Sequence, residues 1–156
     1  MKKMTSTVNA KRVAVFLYGS FMSPRILRDS GLTREIAPLE VATLEGFDIA
    51  LSPSATLVPS TKGLVYGVLA ELTQEELGVL YSPDWLKDYK ARSVKVKRGN
   101  GQEVFATSYI APPHPNIPSK PDYVALLIEV ATSYGFPSWY LERLRKAHYR
   151  CRSGNA

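Results

Sequence analysis

The chain has 156 residues, 45% of them hydrophobic and 22% charged, the size and balance of one globular domain with a core of its own. No apolar run reaches the roughly 18 residues that a membrane-spanning helix needs, and the one cysteine, Cys151, excludes an internal disulfide framework and a cysteine-based metal cluster. The 20 Lys+Arg against 14 Asp+Glu give a net charge of +6, but the basic residues collect at the two ends and between Lys87 and Arg98, as solvated faces do, so no nucleic-acid partner is expected.

The opening MKKMTSTVNAKR is positively charged with no apolar stretch before Val13, so no secretory signal is expected and a cytoplasmic setting fits. Residues 1–12 read as a disordered tail, 13–148 as a single domain and 149–156 as a C-terminal tail. Val13 to Leu17 is apolar and β-branched, a buried strand that breaks at Tyr18-Gly19-Ser20 before Ser23-Pro24 opens a helix. A strand that runs through a glycine turn into a helix start leaves backbone N–H groups without ladder partners, a place to bind an anion; the same residues also serve as an ordinary strand-to-helix connection.

In SPRILRDSGL, Ser23 is the N-cap, Pro24 the first helical residue and Gly31 the stop. Ile36 to Leu51 is expected to form two short strands meeting at a bend near Gly46, with Phe47, Ile49 and Leu51 inward. SPSATLVPS reads as irregular, with Thr56 to Val58 extended. Gly63 to Leu72 is a strand in which Gly67 signals a bulge or a close backbone approach. Thr73 and Glu76 form a capping box for a helix to about Leu80. YSPDWLKDY is an aromatic loop carrying Asp84 and Asp88. Ala91–Lys97 and Val104–Ile110 form a hairpin around Asn100-Gly101, with Val94 and Val96 on one face. After a Pro-rich loop, Asp122 to Tyr134 is a helix with Leu126, Leu127, Val130 and Ala131 apolar, closed by Gly135 and Pro137, and Ser138 caps a last helix through Leu141 and Leu144. Strands segregated from helices predict an α+β fold, a small mixed β-barrel or curved sheet with flanking helices.

The common catalytic signatures are missing. His114 and His148 have no metal-ligand spacing, there is no phosphate-binding glycine loop, and Ser20 has no histidine placed by a local motif, so no metal or other cofactor is expected. What remains is the Tyr18 turn, an acid among Tyr81, Trp85 and Tyr89, and the tyrosines Tyr109, Tyr123 and Tyr140. Apolar rings around a carboxyl disfavour its ionised form and move it toward proton-shuttling duty, although Asp84 after Pro83 is equally a turn former.

Several segments in order carry a family resemblance. The strand ending YGSFM, then LEGFDIALSPSATLVPSTKGLVYGVLAEL, then LYSPDWLKDYKARSVKV, and finally ATSYIAPPHPNIPSKPDYVALLIEVATSYGFPSWYLERL with Gly135, Pro137 and Tyr140 together resemble the gamma-glutamylcyclotransferase-like superfamily over Val13 to Leu144. The resemblance implies a small mixed β-barrel and a cofactor-free intramolecular aminolysis, in which the α-amine of a γ-glutamyl group attacks its own γ-carbonyl, expels an amine and leaves 5-oxoproline. It implies that Tyr18, Gly19, Ser20, Phe21 and Met22 form the substrate-binding loop. Tyr89, Tyr109 and Tyr123 correspond to pocket tyrosines, and Asp84 falls near the catalytic glutamate. Two departures stand out. Phe21 replaces the asparagine that follows the serine, and the glutamate has no direct counterpart, so Asp84 or Asp88 stands in its region. The expected partner is a small γ-glutamyl molecule, with no nucleic acid, no membrane and no oligomeric state legible; the alternative is a binding or regulatory module that keeps the pocket without the catalysis.

Overall fold

The computed structural model describes residues 11–51, 53–114, 117 and 119–153, the side chains of 148–153 excepted. Residues 1–10 of the expected N-terminal tail, 154–156 of the C-terminal tail, and the His148 side chain therefore lie outside the described residues. Five strands close into a barrel in the order β1-β3-β2-β4-β5. They are β1 (Arg12–Leu17), β2 (Glu40–Leu51), β3 (Ala55–Thr73), β4 (Lys90–Arg98) and β5 (Glu103–Ile110). Four helices flank them: α1 (Pro24–Asp29), α2 (Gln74–Leu80), α3 (Pro121–Ser133) and α4 (Ser138–Ser153). This is the α+β architecture the strand and helix patterns predict. Every neighbouring pair is antiparallel except the seam, where β1 meets β5 in parallel at Val15 and Thr107.

The expected break in the second segment is absent. β2 is one strand because Gly46, at φ +89, lets the chain bulge without leaving the sheet. Glu45 faces Leu64 while Phe47 faces Pro59, so the extra residues of the bulge sit on β3. The segment read as irregular is likewise sheet. Thr56, Leu57 and Val58 pair with Ala50, Ile49 and Asp48, and Pro59 is tolerated at the bulge, where ladder pairing is interrupted. Gly67 is a close approach: a Cβ there would lie 2.7 Å from Phe16 Cζ and closer still to the Leu17 carbonyl on β1.

Val15, Leu51, Val65, Val68, Leu72 and Val96 are essentially inaccessible. The capping box forms as the sequence indicates, with Thr73 Oγ1 accepting from Glu76 N–H at 3.1 Å and Glu76 Oε1 accepting from Thr73 N–H at 2.9 Å. Arg34 extends it, donating to both Glu76 carboxylate oxygens at 2.7 and 3.0 Å. Burial opposes the charge of Glu76, yet the Arg34 guanidinium and the Thr73 N–H hold its carboxyl below the ordinary range. On α3 the buried stripe is Val124, Leu127, Val130 and Ala131, with Leu126 only partly covered. α4 opens on Pro137, whose carbonyl accepts from Tyr140 and Leu141 N–H.

The basic residues of the hairpin are partly neutralised where they stand: Lys95 pairs with Glu103, Lys97 with Glu45 and Arg98 with Glu40. Among the described residues no helix is long and apolar enough to cross a membrane.

Candidate active site

β1 delivers the site. Its buried end, Phe16-Leu17, passes into Tyr18, itself buried, and then into a single 3₁₀ turn over Ser20–Met22. Ser23 closes that turn and caps α1, its Oγ accepting from Ile26 N–H at 3.3 Å. The first turn of the short helix is thus served by its own side chain, and the part of the loop that lines a cleft is Tyr18 to Phe21. Met22 turns the other way, into the core at 1% exposure, where its carbonyl accepts from Tyr134 Oη at 2.7 Å.

Around Tyr18–Phe21 the fold gathers Tyr81 from the end of α2, Trp85 and Leu86 from the following turn, Tyr89 before β4, Tyr109 on β5 and Tyr123 on the first turn of α3. Ser54 and Ala55 at the start of β3 complete a cleft. The loop, Tyr89, Tyr109 and Tyr123 are therefore brought together from four separate stretches of chain. Tyr81 belongs with them: its ring stacks on Tyr109 at 4.0 Å and meets Phe21 edge-on at 5.4 Å. Phe21 thus forms an aromatic wall of the cleft.

The phenol oxygens are committed to the backbone. Tyr18 Oη donates to the Tyr109 carbonyl at 2.7 Å and Tyr89 Oη to the Ala55 carbonyl at 2.6 Å. Tyr123 Oη accepts from Ala55 N–H at 3.0 Å, and the N–H and hydroxyl of Ser20 face the same oxygen. Gly19 fits closely in this weave: a Cβ would stand 3.3 Å from Tyr123 Oη and 3.2 Å from Ala55 Cβ, so a larger residue makes these neighbours give by a few tenths of an ångström. Burial pushes the phenols of Tyr18, Tyr81, Tyr89, Tyr109 and Tyr123 above their ordinary range, and Tyr89 and Tyr81 add to the effect on Tyr18. All five are neutral at physiological pH, none a base.

Such a lining suits a zwitterion. Among the described residues the phenol protons of Tyr18 and Tyr89 are given to backbone carbonyls, which leaves those of Tyr81, Tyr109 and Tyr123 for a carboxylate, and tyrosine faces attract an ammonium. Among the described residues no carboxylate lines the cleft, and no group of three or more His, Cys, Asp or Glu could hold a metal. Asp84 stands at its lip, exposed, as the first residue of the 3₁₀ turn whose next two residues, Trp85 and Leu86, do line it. Asp88 faces away into a neighbouring groove, 3.9 Å from His114 Nε2.

Sequence reasoning passed over Ser54, Ala55 and Thr56. Thr56 Oγ1 exchanges hydrogen bonds with Ala111 N–H and carbonyl, tying β3 to the chain after β5. No local pattern marks this threonine, because its partner lies 55 residues away.

The AIG2-like family model matches residues 64–144, rather more than half the chain. No curated protein sequence matches. Among solved structures, one described as a gamma-glutamyl cyclotransferase superposes with a TM-score of 0.75 at 23% identity, covering 86% of this chain and 87% of that one. An uncharacterized protein from Homo sapiens does so at 0.73, 24%, 86% and 87%. A protein from Arabidopsis thaliana is 26% identical, with a TM-score of 0.58 over 74% of this chain and 76% of its own. At such identities the first two likenesses speak for the fold.

Proposed function

The chain belongs to the AIG2-like family, within the gamma-glutamylcyclotransferase-like superfamily, and from that premise we propose that its cleft binds a γ-glutamyl amino acid or amine and converts it to 5-oxoproline and the free amine. The observation that carries this reading is the convergence of Tyr18–Phe21 with Tyr81, Tyr89, Tyr109 and Tyr123 on one cleft of neutral phenols and aromatic faces. A glutamyl α-carboxylate and α-ammonium find complementary surfaces there, and an enclosing wall favours the folded chain that brings the amine to its own γ-carbonyl. The chemistry uses no cofactor. It does need an acid/base that takes a proton from the attacking ammonium and returns it to the leaving amine.

Asp84, at the lip, is the residue assigned that work. It is one methylene shorter than glutamate, and misplacement by about an ångström costs on the order of a hundredfold in rate, so turnover is slow. Incubation with a panel of γ-glutamyl dipeptides and amines, followed by detection of 5-oxoproline, tests the proposal; Asp84→Ala lowers the rate by about 10²-fold or more. Full activity in that variant would remove Asp84 from the mechanism.

The exposure of Asp84 favours a second reading, a module that binds the same group without turning it over. In that case γ-glutamyl compounds raise the melting temperature saturably and no 5-oxoproline forms. A cytoplasmic setting, suggested by the lone Cys151, suits either reading.

A further inference from the structure

A second groove opens beside the cleft. Ser54, Trp85 and Tyr89 line both, so the two adjoin and share that wall. Beyond it stand Asp88, with 57% of its side chain exposed, and His114. Trp85 is 63% exposed and Asp88 lies on the same short segment, whereas no lysine or arginine lines the groove among the described residues. The His114 contact is an ion pair only when the imidazole is protonated.

A γ-glutamyl amide seated with its amino-acid end at Tyr18–Phe21 carries its amine substituent outward, past Ser54, Trp85 and Tyr89. There the substituent meets an indole face and a carboxylate, and together these recognise a cation on an alkyl chain. We propose that this groove is the leaving-amine subsite and that it selects substrates whose leaving amine bears a positive charge, with Asp88 supplying the countercharge and Trp85 the face. The inference rests on the reading of the cleft as a γ-glutamyl site. In the reaction the α-nitrogen forms a bond to the γ-carbonyl carbon and the bond from that carbon to the leaving nitrogen breaks. The α-ammonium loses two protons in becoming the lactam N–H and the leaving nitrogen gains both, so 5-oxoproline and the diamine, released as an ammonium, are the only products.

The test compares two isosteric probes by calorimetric titration, γ-glutamyl-pentylamide and γ-glutamyl-(4-aminobutyl)amide, at about pH 8, where imidazoles are ordinarily neutral. The aminobutyl compound is expected to bind about threefold to tenfold more tightly. In Asp88→Asn, an exposed substitution that the fold accommodates, the ratio falls about twofold or more, and Trp85→Ala weakens both probes, the aminobutyl compound more. Equal affinities in the native protein, or a ratio unchanged by Asp88→Asn, overturns the subsite. If neither probe binds, the γ-glutamyl reading of the cleft fails and takes this inference with it. Because the readout is binding, absence of turnover bears only on Asp84.

Discussion

Tyr123→Phe removes a single oxygen from the centre of the site, and the cost can be worked out from the partner it leaves behind. That oxygen accepts the N–H of Ala55, a residue only 4% exposed, at 3.0 Å. Without it a buried N–H has nowhere to donate, which costs about 1–3 kcal/mol. For a chain of this length each kcal/mol lowers Tm by about 2–4 °C, so a fall of about 2–12 °C is expected. Tyr89→Phe is the control. It removes the donor to the Ala55 carbonyl, but a carbonyl keeps a second lone pair for other partners, so the loss is smaller, about 0.5–1.5 kcal/mol. Because both tyrosines act on the same residue, the double variant loses less than the sum. Thermal melts followed by circular dichroism measure all three. The reasoning collapses if Tyr123→Phe melts with the native protein, or if Tyr89→Phe proves the costlier change.

Gly67→Ala forces a methyl group against the Leu17 carbonyl and the Phe16 ring; a loss of about 1–3 kcal/mol is expected in denaturant unfolding, and a neutral result would mean that β1 and β3 part more easily than their register implies. Glu76→Gln weakens the Arg34 pair and the capping box by about 1 kcal/mol near neutral pH. Since the folded carboxyl is held below its ordinary range, its contribution is present above the unfolded value near about 4.3 and is lost as pH falls through the folded one. The difference between native and variant stability should therefore shrink in acid, and a constant difference down to about pH 2 contradicts the ion pair. The buried tyrosines have the opposite sign. Their folded phenols are raised, so the stability they confer is full below about pH 10 and declines above it. Tyrosinate absorbance should appear together with loss of native circular dichroism, and ionisation of all nine tyrosines in a still-folded protein is the contrary result.

The parts of this molecule legible in its sequence are those written locally. The Thr73–Glu76 capping box, the Asn100-Gly101 turn and the Ser23-Pro24 helix start each need only neighbouring residues, and each formed as read. The turn at Tyr18 could be located but not interpreted, because its meaning depends on Ala55 and Tyr123, which arrive from elsewhere in the chain. β2 and β3 were under-read for a related reason. Gly46, Pro53 and Pro59 punctuate a stretch that is sheet on either side of them, and only the partner strand shows that the pairing resumes beyond each. The side of the turn on which Met22 falls, core and not cleft, follows from the 3₁₀ geometry and from Tyr134, on the segment after α3.

The parallel seam between β1 and β5 has a consequence for how the protein matures. Val15 meets Thr107 there, Ser108 Oγ donates to the Phe16 carbonyl, and Tyr18 reaches Tyr109 across a separation of 91 residues. Contacts of such span form late in folding, since the long loop must close before they repay its entropy. A chain that has built its hairpin and helices but not its seam has two half-walls and no cleft. Ligand affinity then reports on complete closure, and a small molecule held there acts as a clasp, drawing the population toward closed chains by mass action.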